Sequence, residues 1–396
     1  MNEVRDQYEA FPYPERDPKD EAKRLITGSP SVPTEMDHWL WGGQRDWSQT
    51  LRVLVAGGGT GDGLVQLAQH LHSAGKPYEI TYLDLSKASR RIAEARIKAR
   101  NLPHVRFVTG SLLDAADLGR FDYIDCCGVL HHLPDPQTGL TALHGALAPG
   151  GGLGFMVYAP YGRTGVYPLQ AAFNRLFGHL PPKSRLKHAR AAFDKIPPAH
   201  PLKRSLTLGD HKQSDAGFYD LLVHTQDRAF TVDSWIAALG DAGWQMAGFA
   251  QPGLYDLGQF TDVPADLDAV LQMKAAEELR GTIKTHVGYA RPSGATSPAM
   301  KGMGDRVPHL RGAPRAAFAQ AVAKNKLPKL RVGADQVDIT LSPKAAPLVA
   351  AIDGRSTINE LLQKVDIPPK EGLHLWGKLD MALVPWGLIQ YSEFLR

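Results

Sequence analysis

Nine residues, Val53-Leu54-Val55-Ala56-Gly57-Gly58-Gly59-Thr60-Gly61, are built to hold a ligand against bare backbone. Glycines after an apolar run let the chain turn sharply and let a ligand reach the main chain. A helix start just beyond them adds free N–H donors. Spacing decides which ligand. A dinucleotide fingerprint needs GxGxxG. From Gly57 its third glycine falls on Asp62, from Gly58 its second falls on Thr60, and from Gly59 its third falls on Leu64. No Gly-Lys-Ser/Thr follows, so the phosphate loop fails too. What remains is GxGxG at 57, 59 and 61. It lacks pyrophosphate machinery and suits a ligand whose amino-acid tail packs on the loop, such as S-adenosylmethionine.

A second apolar run, Ile80-Thr81-Tyr82-Leu83-Asp84-Leu85-Ser86, ends in a carboxylate. The C-terminal edge of an open α/β sheet carries the ligand. There Asp84 would accept both ribose hydroxyls as charge-assisted hydrogen bonds and repel a 2′-phosphate. Ala56, Gly57, Gly59, Gly61, Asp84 and Leu85 are therefore the expected ligand contacts. Ser111 and Leu112, in FVTGSLLD, follow the third apolar run and should meet an adenine's edge and face. Cys127 and Gly128 end the fourth and should flank the sulfonium.

Methyl transfer to a nucleophile needs in-line attack in a site that holds the nucleophile close. A base is needed only when the acceptor must lose a proton. The candidates are His131, His132, Tyr158 and Tyr161, past the fourth and fifth apolar runs. The two histidines are adjacent, so at most one should reach the pocket. His224 and Asp227 are secondary candidates from a later segment. No metal ligand set is expected, and the vicinal pair Cys126-Cys127 should face opposite sides of a buried strand without redox function.

The elements that must position these residues are legible between Leu51 and about Ala159. Apolar runs at 51–56, 79–83, 105–108, 123–127 and 153–158 alternate with helical patterns at 64–72, 87–100 and 140–147. Runs apolar on both faces are strands of a parallel sheet, and strand–helix repetition gives right-handed crossovers. Two further strands, at 244–250 and 285–291, complete a doubly wound, mostly parallel seven-stranded α/β sheet. About 70 residues lie between the fifth strand and the later helices, too long for a structureless loop. They read as a helical insertion at about 160–230, capping the mouth of the sheet. Residues 1–50 form a leader, 51–292 the main domain, 293–312 a Pro/Gly/Ser-rich linker, and 313–396 a small α+β module.

From Val53 to Tyr158 the chain resembles class I S-adenosylmethionine-dependent methyltransferases. The motifs are VLVAGGGTG, YLDLS, FVTGSLLD, FDYIDCCGVLHHLPDP and LAPGGGLGFMVY. It is most similar to bacterial members whose loop reads VAGxGTG and whose fourth strand reads GVLHHLxDP. The leader QYEAFPYP and the segment YDLLVHTQD fit the same group. The resemblance implies a methyltransferase that uses S-adenosylmethionine and releases S-adenosylhomocysteine. It also implies that Tyr8 and Tyr13 belong to a leader folding over the cofactor. One departure stands out. Many class I enzymes carry an acid two residues before the first glycine, and Val55 stands there. The methionine amino group must then find other acceptors, such as loop carbonyls. The C-terminal module resembles winged-helix-like regulatory modules through LSP at 341–343 and IDGRST at 352–357. Such modules also follow some bacterial protein-lysine methyltransferases. Binding a protein or pairing with a second copy is the role expected of it.

Composition bounds the alternatives. Of 396 residues, 43% are hydrophobic and 22% charged, which fits a globular protein. No apolar stretch reaches membrane-spanning length and the first residues hold no apolar signal core, so a cytoplasmic protein without membrane contact is expected. Two basic blocks, at 183–212 and 293–331, each hold eight Lys/Arg. They motivate an alternative, an RNA-modifying methyltransferase that uses them for phosphates. A second alternative is a non-catalytic regulatory protein that only binds S-adenosylmethionine.

Overall fold

The computed structural model describes residues 2–396. Seven strands form one sheet: β1 (Leu51–Ala56), β2 (Tyr78–Asp84), β3 (Val105–Thr109), β4 (Phe121–Cys127), β5 (Leu147–Tyr158), β6 (Trp244–Phe249) and β7 (Thr285–Pro292). Their order is β3-β2-β1-β4-β5-β7-β6. β7 runs antiparallel to both neighbours and the other pairings are parallel. Strand order reverses between β1 and β4, which opens a crevice at their C-terminal ends. One face is covered by helices Asp62–Ser73 and Lys87–Ala99, packing Leu64, Leu67, Leu71 and Ile97 on β1 and β2. The other carries Leu140, Leu143, Trp235 and Leu239 against β4 and β5. β5 starts at Leu147, six residues before the expected run, because its Gly-rich entry pairs with β4 across a register shift between Phe121 and Tyr123.

Between β5 and β6 the chain forms helices Val166–Phe177, Pro182–Lys195 and Asp215–Leu222, with the short helices Pro201–Arg204 and Asp210–Gln213 between the last two. They share a small core of Leu169, Phe173, Leu186, Phe218 and Leu222. Phe11 of the leader stacks on Tyr219 at 5.0 Å, so leader and insertion meet over the crevice.

The C-terminal module comprises β8 (Pro308–Leu310), helix Arg315–Ala323, the hairpin β9 (Leu330–Val332) and β10 (Asp335–Val337), helices Ala346–Ala351, Ile358–Lys364 and Pro369–Leu383, and β11 (Ile389–Tyr391). β8 pairs with β11. The expected linker thus contains a strand, since a three-residue strand has no local signature when its partner lies far along the chain. The hairpin falls between the first helix and the other three.

The module is fastened to the leader rather than tethered. Buried Glu35 accepts from Ser29 Oγ at 2.8 Å, Tyr289 Oη at 2.8 Å and Gln390 Nε2 at 3.0 Å, and pairs with Arg311. Asp37 accepts from Trp47 Nε1 at 3.0 Å and Ser392 Oγ at 2.6 Å. Trp39 fills the space beside Gly248, where a Cβ would lie 2.2 Å from the indole. The leading tryptophans therefore pack the N-terminal helix Pro33–Trp41 onto the sheet. Among the described residues no helix is long and apolar enough to cross a membrane.

Candidate functional site

A cavity of about 450 Å³ opens at the β1/β4 crevice. Its floor is the glycine loop. Gly57, Gly59 and Gly61 hold φ of +74°, +52° and +98°, which side-chain-bearing residues rarely adopt. A Cβ at Gly57 would sit 2.4 Å from Val129, and one at Gly58 2.4 Å from the Tyr82 ring. Tyr82 Oη donates to Gly59 O at 2.6 Å and fixes the loop from below. Asp84, at the end of β2, accepts from Gly59 N at 2.7 Å and Ser86 N at 2.8 Å. Burial pushes its pKa up while these two N–H groups pull it down. Each carboxylate oxygen keeps acceptor capacity toward the cavity.

The leader forms the roof. Glu9 accepts from Lys87 N and from Ala88 N at 3.2 Å, capping the helix that follows Asp84. Thr60 Oγ1 donates to Pro14 O at 2.7 Å. Arg16 grips Asp62 with Nε at 2.9 Å and Nη2 at 2.6 Å. Asp62 is held from the other side by fully buried Arg96 at 2.6 Å, which also pairs with Glu21 at 2.6 Å.

At the far end stand Tyr8, Tyr158, Asp220 and His132, with buried His224 packed on His132 outside the lining. Tyr8 Oη donates to Asp220 Oδ1 at 3.0 Å and Tyr158 Oη to Oδ2 at 3.3 Å. His132 and His224 stack with centroids 3.8 Å apart. One backbone unit fixes both rings. Gln226 N–H donates to His224 Nδ1 at 3.1 Å, so a neutral His224 carries its proton on Nε2, which lies 3.4 Å from Tyr8 Oη. Gln226 O faces His132 Nδ1 at 2.9 Å, so His132 carries its proton on Nδ1. Its Nε2 is left a bare acceptor with no partner among the described residues. Burial, foremost, holds His224 and His131 well below the usual imidazole range.

His132, Asp220 and His224 also place one ligand atom each within 4.8 Å of one another, as do His131, His132 and Asp227. The donor chemistry argues against a metal at the first set. A metal on His224 Nε2 would require a proton on Nδ1, where the Gln226 N–H already points.

The structure brings most of the expected residues to one cavity. Tyr8, Tyr13, Ala56, Gly57, Gly59, Asp84, Leu85, Ser111, Leu112, Cys127, Gly128, His132 and Tyr158 all line it. Gly61 does not; it turns the chain into the first helix. His131 does not either. It is fully buried with both ring nitrogens unbonded, stacked on Tyr158 at 3.8 Å. Tyr161 lies outside, its hydroxyl 3.4 Å from Glu278, because the chain turns away after β5. Asp227 is tied to Gln170 at 2.8 Å and Arg163 at 3.4 Å. Sequence reasoning missed Asp220 and Asp125. An acid within an apolar run, as in FDYIDCC, was the available signal for Asp125.

Residues 54–153 match the family described as a methyltransferase domain. An uncharacterized protein of Synechococcus sp. is 35% identical over 205 residues, 50% of this chain and 48% of the relative. Demethylmenaquinone methyltransferase of Geobacillus stearothermophilus is 32% identical over 94 residues, 24% of this chain and 39% of that protein. The chain thus spans less than half the length of either curated relative. Among solved structures, PKMT2 from Rickettsia typhi in complex with AdoHcy superposes with a TM-score of 0.65 at 14% identity, over 93% of this chain and 77% of that one. The likeness is one of fold and extends through the C-terminal module. With the sheet order, it gives the chain the class I methyltransferase fold.

Proposed function

We infer that this chain, whose residues 54–153 are a methyltransferase domain, transfers the methyl of S-adenosylmethionine to a nucleophile that gives up a proton. The observation that carries the reading is a single cavity with the glycine loop and Asp84 at one end and the bare Nε2 of His132 at the other. Its size suits one cofactor-sized ligand. When bound, the sulfonium supplies an electrophilic methyl. Asp84 binds the ribose, Ser111 and Leu112 border the adenine, and Cys127 and Gly128 flank the sulfur.

The acceptor lies between the methyl and His132. As its nucleophilic atom bonds the methyl, the carbon–sulfur bond breaks and its proton passes to His132 Nε2. The imidazolium that results has the Asp220 carboxyl group within 4.8 Å. Tyr8 and Tyr158 hold that carboxyl in place, and His224 Nε2 contacts the Tyr8 hydroxyl. No step uses a metal, so chelators should leave the rate unchanged in a transfer assay.

The roof retains the ligand. Arg16→Ala should speed release of S-adenosylhomocysteine about three- to tenfold by stopped-flow, because a partly buried bidentate ion pair holding the leader is lost.

Part of the charge in the two basic blocks is engaged internally, which favours a small-molecule or protein acceptor over RNA. Arg190 pairs with Asp215, Arg311 with Glu35, Lys301 with Glu393 and Lys329 with Asp338. The test is transfer of labelled methyl into an extract of cells lacking the gene, split into protein, RNA and small-molecule fractions. Label that depends on Asp84 in one fraction supports the reading and names the acceptor class. Absence of label with intact cofactor binding would favour a regulatory, non-catalytic role.

A further inference from the structure

We propose that Asp125, on β4, receives the ammonium group of the S-adenosylmethionine amino-acid tail in place of an acid on β1. The proposal rests on the function inferred above and extends it to a residue that the motif reading gave no role. The residue two positions before the first glycine is Val55, whose side chain cannot accept a hydrogen bond. Val55 pairs in register with Asp125 across the β1–β4 ladder. Partners in register in a parallel pair point to the same face, about 4.8 Å apart. Both residues line the cavity. The carboxylate has therefore moved one strand sideways without leaving the site.

Its surroundings suit a cationic visitor. Asp125 is 2% exposed and lies in no ion pair among the described residues. Its one side-chain partner is Ser31 Oγ, from the leader. Gly63 clears the approach, since a Cβ there would fall 2.6 Å from Oδ2. Burial without a cation pushes the carboxyl up to about 6. A buried carboxylate with one hydroxyl partner is costly to keep charged, and an ammonium arriving with the ligand removes that cost.

Calorimetric titration of wild type and Asp125→Asn with S-adenosylhomocysteine and with 5′-methylthioadenosine tests this, because only the first ligand carries the amino-acid tail. Asp125→Asn should weaken S-adenosylhomocysteine about 10- to 100-fold, the range for a hydrogen bond between charged groups. Methylthioadenosine should change less than about twofold. The ligand-free melting midpoint of the variant should match or exceed wild type, whereas a purely structural Asp125 would lower it. Asp125→Ser serves if the asparagine variant fails to fold. Unchanged S-adenosylhomocysteine affinity, or parallel loss of both ligands, would overturn the assignment alone. Wild type binding neither ligand would overturn the proposed function with it.

Discussion

Asp84→Ala should weaken S-adenosylhomocysteine and 5′-methylthioadenosine together, by about 100- to 1,000-fold. Asp84 already accepts one backbone N–H on each oxygen, at 2.7 Å and 2.8 Å, so its orientation is set before ligand arrives. The remaining lone pairs can accept two ribose hydroxyls. Each such charge-assisted bond is worth about 1.5–3 kcal/mol, and the pair accounts for the expected loss. Gly59 N–H would also lose its acceptor, which loosens the loop beneath the ligand. Since both ligands carry the ribose, both should suffer, unlike the tail-selective effect expected at Asp125. Asp84→Asn, which keeps the shape, should lose less. A calorimetric Kd for Asp84→Ala within threefold of wild type would move the ribose elsewhere.

The second large effect concerns His132. Replacing it with alanine should lower methyl transfer by about 100- to 10,000-fold, the usual contribution of a positioned base. Binding of S-adenosylhomocysteine should stay within about threefold, because the imidazole faces the acceptor end. Added imidazole should restore part of the rate by entering the vacated space. The two rings hold different tautomers. Gln226 offers its carbonyl to His132 and its N–H to His224, leaving one ring to accept a proton and the other to donate one. An unchanged single-turnover rate in His132→Ala would show that the proton leaves by another route.

The central sheet was legible because strands buried on both faces are written as uninterrupted apolar runs. The glycine loop and Asp84 were legible because each lies at a strand end, where spacing alone fixes position. Four features were not. Which of His131 and His132 enters the cavity depends on the tight turn at Leu130–His132, which turns adjacent side chains to different surroundings. The control exercised by Gln226 is invisible in principle, since it acts through backbone atoms that every residue carries. Asp125 becomes meaningful only when register places it beside Val55. The β8–β11 pairing was likewise hidden: each strand has three residues, and pairing across long sequence separation leaves no local pattern.

The most direct test is a crystal structure with S-adenosylhomocysteine bound. The account predicts ribose hydroxyls on Asp84, the tail's ammonium on Asp125, and the sulfur facing Tyr158 and His132 beneath a closed leader. A ligand bound with its sulfur directed away from His132, or outside the β1/β4 crevice, would contradict it.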